Sequence, residues 1–100
     1  MDRDSIAAVE IDEAGRLHVI PLSQKFPLIY REAMEVSWDP DRRSLHSPKP
    51  REWSYARWYE QIVAAAREQG WELRQTSATN WINVDAGTKA ELLRVQGQGA

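Results

Sequence analysis

The sequence predicts an α+β domain in which an antiparallel sheet of about five or six strands carries one long helix on one face and a short C-terminal helix. Two β-like runs separated by a glycine-containing loop predict a hairpin near the N-terminus. A stripe of aromatic and aliphatic residues at helical spacing follows in the second half. A length of 100 residues indicates a single domain, placed at 1–96. The last four residues, 97–100, are expected to form a disordered tail.

The N-terminal hairpin consists of the runs IAAVEI (6–11) and RLHVIPL (16–22). The loop DEAG between them contains Gly15, which can adopt the left-handed backbone conformation that such loops often need. Alternation along the second strand leaves Ile20 and Leu22 on the face opposite the predicted core. This face is therefore partly apolar, and we expect something to cover it.

A third strand is predicted over residues 30–38, where Met34 and Trp38 belong to the apolar half of an alternating pattern. The sequence DPDR (39–42) predicts a turn, because its proline occupies the second position. The polar residues 43–47 then predict a weak return strand, which we expect at an edge of the sheet.

The long helix is predicted over residues 54–69, with Ser54 as the N-cap and Gly70 as the residue that ends it. Between these two positions the apolar residues recur at the spacing of an amphipathic helix. They are Tyr55, Trp58, Tyr59, Ile62, Val63 and Ala66. Because Trp58 and Tyr59 lie on this stripe, we expect both rings to be in the core.

The last third of the chain predicts a second hairpin and a short helix. Residues 71–76 and 81–85 form the two β-like runs, with the turn SATN between them. The helix is predicted over residues 88–95, where Thr88 and Glu91 have the spacing of a capping box.

Composition bounds the partners that the protein can have. The chain has 13 Lys and Arg residues against 15 Asp and Glu, so nucleic acid and anionic membranes are not expected as partners. It has no cysteine, which excludes thiolate catalysis and cysteine-ligated zinc and fits a cytoplasmic protein. The charged N-terminus has no apolar segment typical of a secretory signal. No apolar run reaches the roughly 20 residues of a membrane span.

Few residues suggest catalysis or metal binding. His18 and His46 are the only histidines, and their spacing does not predict a metal site. A Ser-His-Asp arrangement could be drawn from Ser44 or Ser47 with His46 and Asp39, but the sequence has no nucleophile elbow. It also has no glycine-rich phosphate loop. We therefore assign no catalytic residue, metal or cofactor, and we do not expect an enzyme.

Five tryptophans are the unusual feature of the composition. Such rings serve either as core area or as binding hot spots. Two helices are too few to cover all nine aromatic residues, so some aromatic surface is expected to be exposed for oligomerisation or a ligand. Trp53, just before the N-cap, is the ring most available to a partner. It can equally pack on Trp58 as a hydrophobic staple.

Candidate binding residues come from a basic cluster bordered by Trp38 and Trp53. Basic side chains interleaved with rings suit a sugar phosphate or single-stranded nucleic acid, although the balanced charge argues against nucleic acid. The candidates are Trp38, Arg42, Arg43, His46, Trp53 and Arg57. The candidate oligomer interface consists of Ile20, Leu22 and Trp81.

The expected function is a non-enzymatic binding or assembly module that acts as a homo-oligomer, dimeric or larger, or with a protein partner. An immunity or antitoxin-like role is one form of it. The alternative is a small-molecule-binding protein or minor enzyme with an aromatic and basic cleft near residues 38–57. Flat apolar faces would favour the first interpretation, and a deep pocket containing tryptophan and arginine the second.

The helix followed by Gly70, Trp71, Glu72 and Leu73 and then by β-like runs resembles the helix–GWEL–hairpin unit of small bacterial α+β domains. The resemblance implies that Trp71 and Leu73 are packing residues and that no catalytic role carries over. In general character the chain is similar to orphan α+β proteins of mobile, integron-type gene cassettes. That similarity implies a small accessory protein.

Overall fold

The protein has the predicted α+β fold. The computed structural model describes residues 2–98, which form a six-stranded, mostly antiparallel sheet and two α-helices. A 3-10 turn, Ile29–Arg31, lies between the second and third strands. The elements are β1 (Asp2–Ile11), β2 (Leu17–Pro21), β3 (Ser37–Asp39), β4 (Ser44–His46), α1 (Tyr55–Glu68), β5 (Trp71–Arg74), β6 (Asn80–Ile82) and α2 (Ala86–Gln98).

The N-terminal hairpin forms as predicted. β1 and β2 pair antiparallel, with Val9 opposite Val19 and Ile11 opposite Leu17. Gly15 adopts a φ of +88°, the left-handed conformation that this loop requires. Val9, Leu17 and Val19 are completely buried, so this face of the hairpin forms the centre of the core.

The predicted second hairpin is wrong, because β5 and β6 do not pair with each other. Both pair in parallel with the edge of β1 that β2 leaves free: Asp4 lies opposite Leu73, and Val9 lies opposite Trp81. The Thr79 hydroxyl, in the connection between them, donates to the Ile6 carbonyl (2.7 Å). An apolar pattern indicates which residues form strands, but it does not say which partner they take.

The predicted strand over residues 30–38 is also wrong, except for its last two residues, which begin β3. The buried residues of the connection are Phe26, Ile29, Ala33 and Val36, whose spacing is that of helical turns. Met34, expected inside, is 87% exposed. The Glu32 N–H donates to the Ile29 carbonyl (2.9 Å), consistent with a 3-10 turn.

β4 is an internal strand, contrary to the prediction that residues 43–47 form an edge. It lies between β2 and β3, and β3 is the edge strand on that side of the sheet. Its serines are buried because their hydroxyls have partners: Ser44 contacts His18, and Ser47 accepts from the Leu17 N–H (3.0 Å). The predicted turn before it is confirmed, with Asp39 Oδ1 accepting from the Arg42 N–H (3.2 Å).

α1 begins and ends as predicted. Ser54 accepts a hydrogen bond from the Arg57 N–H (3.2 Å), and Gly70 has a φ of +93°. The helix packs against β2, β5 and α2, and both Trp58 and Tyr59 are buried. Burial raises the pKa of Tyr59, against the opposing effect of a hydrogen bond from Gln75 (2.7 Å).

α2 begins two residues before its predicted start. Asp85, rather than Thr88, caps it, because the Asp85 carboxylate accepts from the Thr88 N–H (2.7 Å). This hydrogen bond lowers the pKa of Asp85. The helix continues to Gln98, into the segment 97–100 predicted as a tail, of which 99 and 100 lie outside the described residues. In the described part of the chain, neither helix combines the length and apolar character that crossing a bilayer requires.

Candidate functional site

A groove of about 550 Å³ lies beside the first turn of α1, and we call it the tryptophan groove. Its apolar wall is made by Trp58 from α1, Trp53 and Pro48 from the preceding linker, and Met34 from the connection before β3. The linker and the first turn of α1, which are neighbours in the sequence, therefore meet a more distant segment at one site.

The two tryptophans of the groove are packed against each other. The ring centroids of Trp53 and Trp58 are 4.7 Å apart, with 46° between the ring planes. Trp53 immediately precedes the N-cap and Trp58 is the fourth helical residue, so the predicted hydrophobic staple is confirmed. The Arg57 guanidinium lies 4.3 Å from the centroid of the Trp53 ring, a cation–π contact that helps to hold the ring in place.

The indole N–H of Trp58 has no hydrogen-bond partner among the described residues. Trp58 is only 7% exposed, and its Nε1 atom is buried. A buried donor without an acceptor costs about 1–3 kcal/mol. Because the Nε1 atom itself is buried, a ligand in the groove could offer it an acceptor oxygen only if the side chains that cover it moved.

The polar part of the lining consists of Gln61 and four charged side chains: Glu35, Lys49, Arg51 and Glu52. None of them forms an ion pair or a side-chain hydrogen bond with any residue that the structure describes. Glu35 has a φ of +71°, a conformation that a residue with a side chain rarely adopts. The groove thus combines an apolar wall, a donor without an acceptor and free charges of both signs.

The structure brings together two of the six predicted binding residues, Trp53 and Arg57. His46 lies on β4 and its Nδ1 atom is 3.1 Å from the Ser47 carbonyl oxygen. Trp38 lies on β3 and packs edge-on against Phe26.

The two predicted arginines belong to the turn between β3 and β4. Arg42 forms an ion pair with Glu10 (3.3 Å), while Arg43 is exposed and has a φ of +55°. A second, shallower depression of about 600 Å³ next to this turn includes Arg42 and Glu10 in its lining. The basic cluster is therefore divided between two surfaces.

Sequence reasoning did not select Met34, Glu35, Lys49, Arg51 or Glu52 as site residues. Lys49 and Arg51 belong to the basic cluster in the sequence, and their closeness to Trp53 was the available signal. Met34 and Glu35 carried no comparable signal, because only the fold of the 22–36 connection brings them to the linker.

Asp12, His18 and Ser44 form a hydrogen-bonded line. His18 Nε2 donates to Asp12 Oδ2 (2.7 Å), and His18 Nδ1 shares a hydrogen bond with Ser44 Oγ (2.7 Å). Burial alone would raise the pKa of Asp12, but hydrogen bonds from His18 and from the Arg16 N–H outweigh it and lower that pKa. The line ties the loop of the first hairpin to β4.

This line has the residue types and the hydrogen bonds of a catalytic triad, but its serine is buried. Ser44 is 0% exposed, so a substrate carbonyl cannot reach its hydroxyl. The arrangement considered from the sequence, with His46 between a serine and Asp39, does not form. Ser44 is hydrogen-bonded to His18 instead, and the Ser47 hydroxyl donates to the Pro48 carbonyl (2.7 Å). In the part of the chain that the structure describes, no three His, Asp or Glu residues are grouped as metal ligands.

The three candidate interface residues differ in their exposure to solvent. Leu22 is 62% exposed just beyond β2, whereas Ile20 is half-buried within it. Trp81 is half-buried on β6, and the Lys89 ammonium of α2 lies 5.5 Å from its ring centroid. Of the three, Leu22 presents the most apolar surface to solvent.

Comparison with known proteins places the chain among integron cassette proteins. A family model described as Integron Cassette Protein Hfx_Cass5 matches residues 4–79. A solved structure of the same description, from the mobile metagenome of the North West Arm sewage outfall, is 55% identical over 97% of this chain and 98% of that chain, with a TM-score of 0.50. None of the curated proteins matches. The resemblance to mobile cassette proteins is confirmed, and the chain belongs to the Hfx_Cass5 family of integron cassette proteins.

Proposed function

We propose that the protein is a non-enzymatic binding module that takes up a small organic molecule in the tryptophan groove. The observation that carries this proposal is the buried indole N–H of Trp58, which has no acceptor among the described residues. Native proteins rarely leave such a donor unsatisfied, so we infer that ligand binding shifts the side chains that cover it and supplies an acceptor.

Two further features of the groove support the same proposal. Met34 is 87% exposed although it is apolar, and Glu35 beside it has a strained backbone. Strained residues cluster at ligand sites, because there the surrounding fold maintains a conformation that the isolated chain avoids. A volume of about 550 Å³ is also within the usual range of ligand sites.

NMR of the indole N–H groups tests this proposal directly. The chain has five tryptophans. The Trp58 signal is identified as the indole signal that is missing from the spectrum of the Trp58→Phe variant. We expect small apolar molecules that carry a carbonyl or carboxylate to change the chemical shift of this signal, because the indole N–H acquires an acceptor. The Trp71 signal, from β5 and outside the groove lining, is the internal control. If no fragment at millimolar concentration moves the Trp58 signal selectively, the proposal is wrong.

A second candidate function, self-assembly, is supported by exposed apolar side chains on one segment. Leu22, Leu28, Tyr30 and Met34 are all exposed, within the connection between β2 and β3. Such a concentration of apolar surface is typical of an interaction site. We propose that this connection, with Leu22 at its start, contributes to a homo-oligomer. β3, at one end of the sheet, has a free edge that could add backbone pairing.

A further inference from the structure

We propose that the ligand of the tryptophan groove is a zwitterion with an apolar body, namely an amino acid with a large apolar side chain or a short peptide of such residues. This inference rests on the proposed function and specifies its ligand class. It is carried by the juxtaposition in one groove of two free cations, two free carboxylates, and an apolar wall that contains an unsatisfied donor.

The charges of the groove balance in number and sign. Lys49 and Arg51 contribute two positive charges, and Glu35 and Glu52 contribute two negative ones. Neighbouring side chains of opposite charge often pair with each other, but these four form no ion pair in the described part of the chain. They are therefore available to a ligand that carries both signs at once.

Each part of such a ligand has a partner in the groove. A carboxylate matches the Arg51 guanidinium, which can bind it through two hydrogen bonds, or the Lys49 ammonium. An ammonium group matches Glu35 and Glu52. An apolar side chain matches the wall of Trp53 and Met34. An oxygen acceptor on the ligand would satisfy the buried Trp58 N–H once the side chains that cover it move.

Ligands with one sign of charge fit the groove less well. A sugar phosphate, considered from the sequence, would bring its negative charge close to Glu35 and Glu52. A simple cation would meet Lys49 and Arg51 and would leave the Trp58 donor unsatisfied. The second depression is different, since it lacks tryptophan and its Arg42 is already paired with Glu10.

The test is a titration of the intact protein with a matched set of compounds, followed through the Trp58 indole signal. The set contains L-phenylalanine, its amide, its N-acetyl derivative, benzyl alcohol, glycine and the dipeptide alanylphenylalanine. We expect L-phenylalanine or the dipeptide to bind at least about tenfold more tightly than each of the other four compounds, because those lack one charge, both charges or the apolar body. The tighter of the two identifies the source as a free amino acid or a peptide.

Variants assign the charges without removing the apolar wall. Arg51→Gln is expected to weaken the binding of L-phenylalanine but not that of its amide. Glu52→Gln is expected to weaken the binding of L-phenylalanine but not that of N-acetylphenylalanine. Glu91→Gln, on the exposed face of α2 and outside the groove, is the control with unchanged binding.

The outcomes separate the ligand class from the proposed function. If benzyl alcohol or either blocked derivative binds as tightly as L-phenylalanine and moves the Trp58 signal, the zwitterion assignment is wrong while ligand binding in the groove stands. If no compound in the set binds while other fragments move the Trp58 signal, the ligand class is again wrong. If nothing moves that signal, both proposals fail.

Discussion

Trp53 and Trp58 are five residues apart and in ring contact, but they differ in burial. Trp58 is 7% exposed and belongs to the core, so Trp58→Ala is expected to lower the free energy of unfolding by about 3–5 kcal/mol. Trp53 is half-exposed on the linker, and Trp53→Ala is expected to cost much less. Urea denaturation of both variants measures the difference.

Trp58→Phe is the control for this comparison. It keeps most of the ring volume and removes the indole N–H, which has no acceptor in the described structure. Its cost is therefore expected to be well below that of Trp58→Ala. Equal losses of stability in Trp53→Ala and Trp58→Ala would contradict the assignment of one ring to the core and the other to the surface.

Asp12 is expected to make the free energy of unfolding depend on pH in the acid range. Its pKa is lowered in the folded protein, so the unfolded chain binds the proton more readily. The stability that this carboxylate contributes is complete above its ordinary pKa of about 4, and it is lost as the pH falls through the lower, folded value. Asp12→Asn is therefore expected to flatten the fall in unfolding free energy at acid pH.

The measurement is chemical denaturation at a series of pH values from neutral to acid. Glu13→Gln removes a carboxylate from the adjacent, exposed position and serves as the matched control. The expectation would be refuted by an Asp12→Asn curve with the same acid slope as the parent and the control.

The connection between β5 and β6 depends on one hydroxyl group. Thr79 Oγ1 donates to the Ile6 carbonyl (2.7 Å) at the β-bulge of β1, and it also accepts from the Thr76 N–H (2.9 Å). Thr79→Val keeps the shape and leaves both backbone groups without this partner, so it is expected to cost about 1–3 kcal/mol. Thermal unfolding measures the loss. Ser77→Ala, exposed in the same turn, is expected to change little, and equal effects would contradict this role.

Elements defined by local signals could be predicted from the sequence. Ser54 and Gly70 mark the ends of α1 through hydrogen bonding and backbone conformation within a single turn, and Gly15 marks the first hairpin in the same way. The 30–38 segment could not be assigned in this manner, because its residues fit an alternating pattern and a helical spacing equally. Burial of Ala33 beside the sheet decided between them, and that contact is tertiary.

The pairing partners of the strands could not be predicted from local sequence patterns. β5 was correctly predicted as a strand from Trp71 onwards, but its pairing with Asp2–Ser5 depends on how α1 returns the chain to the sheet. A helix that follows a strand of the same sheet commonly produces parallel pairing, whereas two short runs separated by a turn signal suggested a hairpin. The buried Thr79 shows why this turn does not close a hairpin: it binds β1 instead.

For the whole molecule, we expect a dimer or larger oligomer at micromolar concentration. Leu22, Tyr30 and Met34 expose apolar surface, and contacts of this kind are little weakened by salt. Leu22→Glu is expected to reduce the association, whereas Glu91→Lys, a charge change on the exposed face of α2, is not. Light scattering at low and high ionic strength measures the mass. A monomer of 11.5 kDa under both conditions would rule out self-assembly.

The tryptophan groove could be predicted only in part. The linker residues near Trp53 and the first turn of α1 were accessible, because they are neighbours in the sequence. The opposite side of the groove comes from Met34 and Glu35, which reach it only through the folded connection before β3. The unsatisfied donor of Trp58 is a property of packing, and no sequence pattern indicates it.

The position of β1 in the sheet affects how the chain folds while it is being synthesised. β1 leaves the ribosome well before β5 and β6, which pair with one of its edges. Until they emerge, the nascent chain has an unpaired strand edge next to the apolar residues that α1 later covers. Pairing of distant segments is also slow to form. Nascent chains halted before Trp71 are therefore expected to be sensitive to proteases and prone to aggregation.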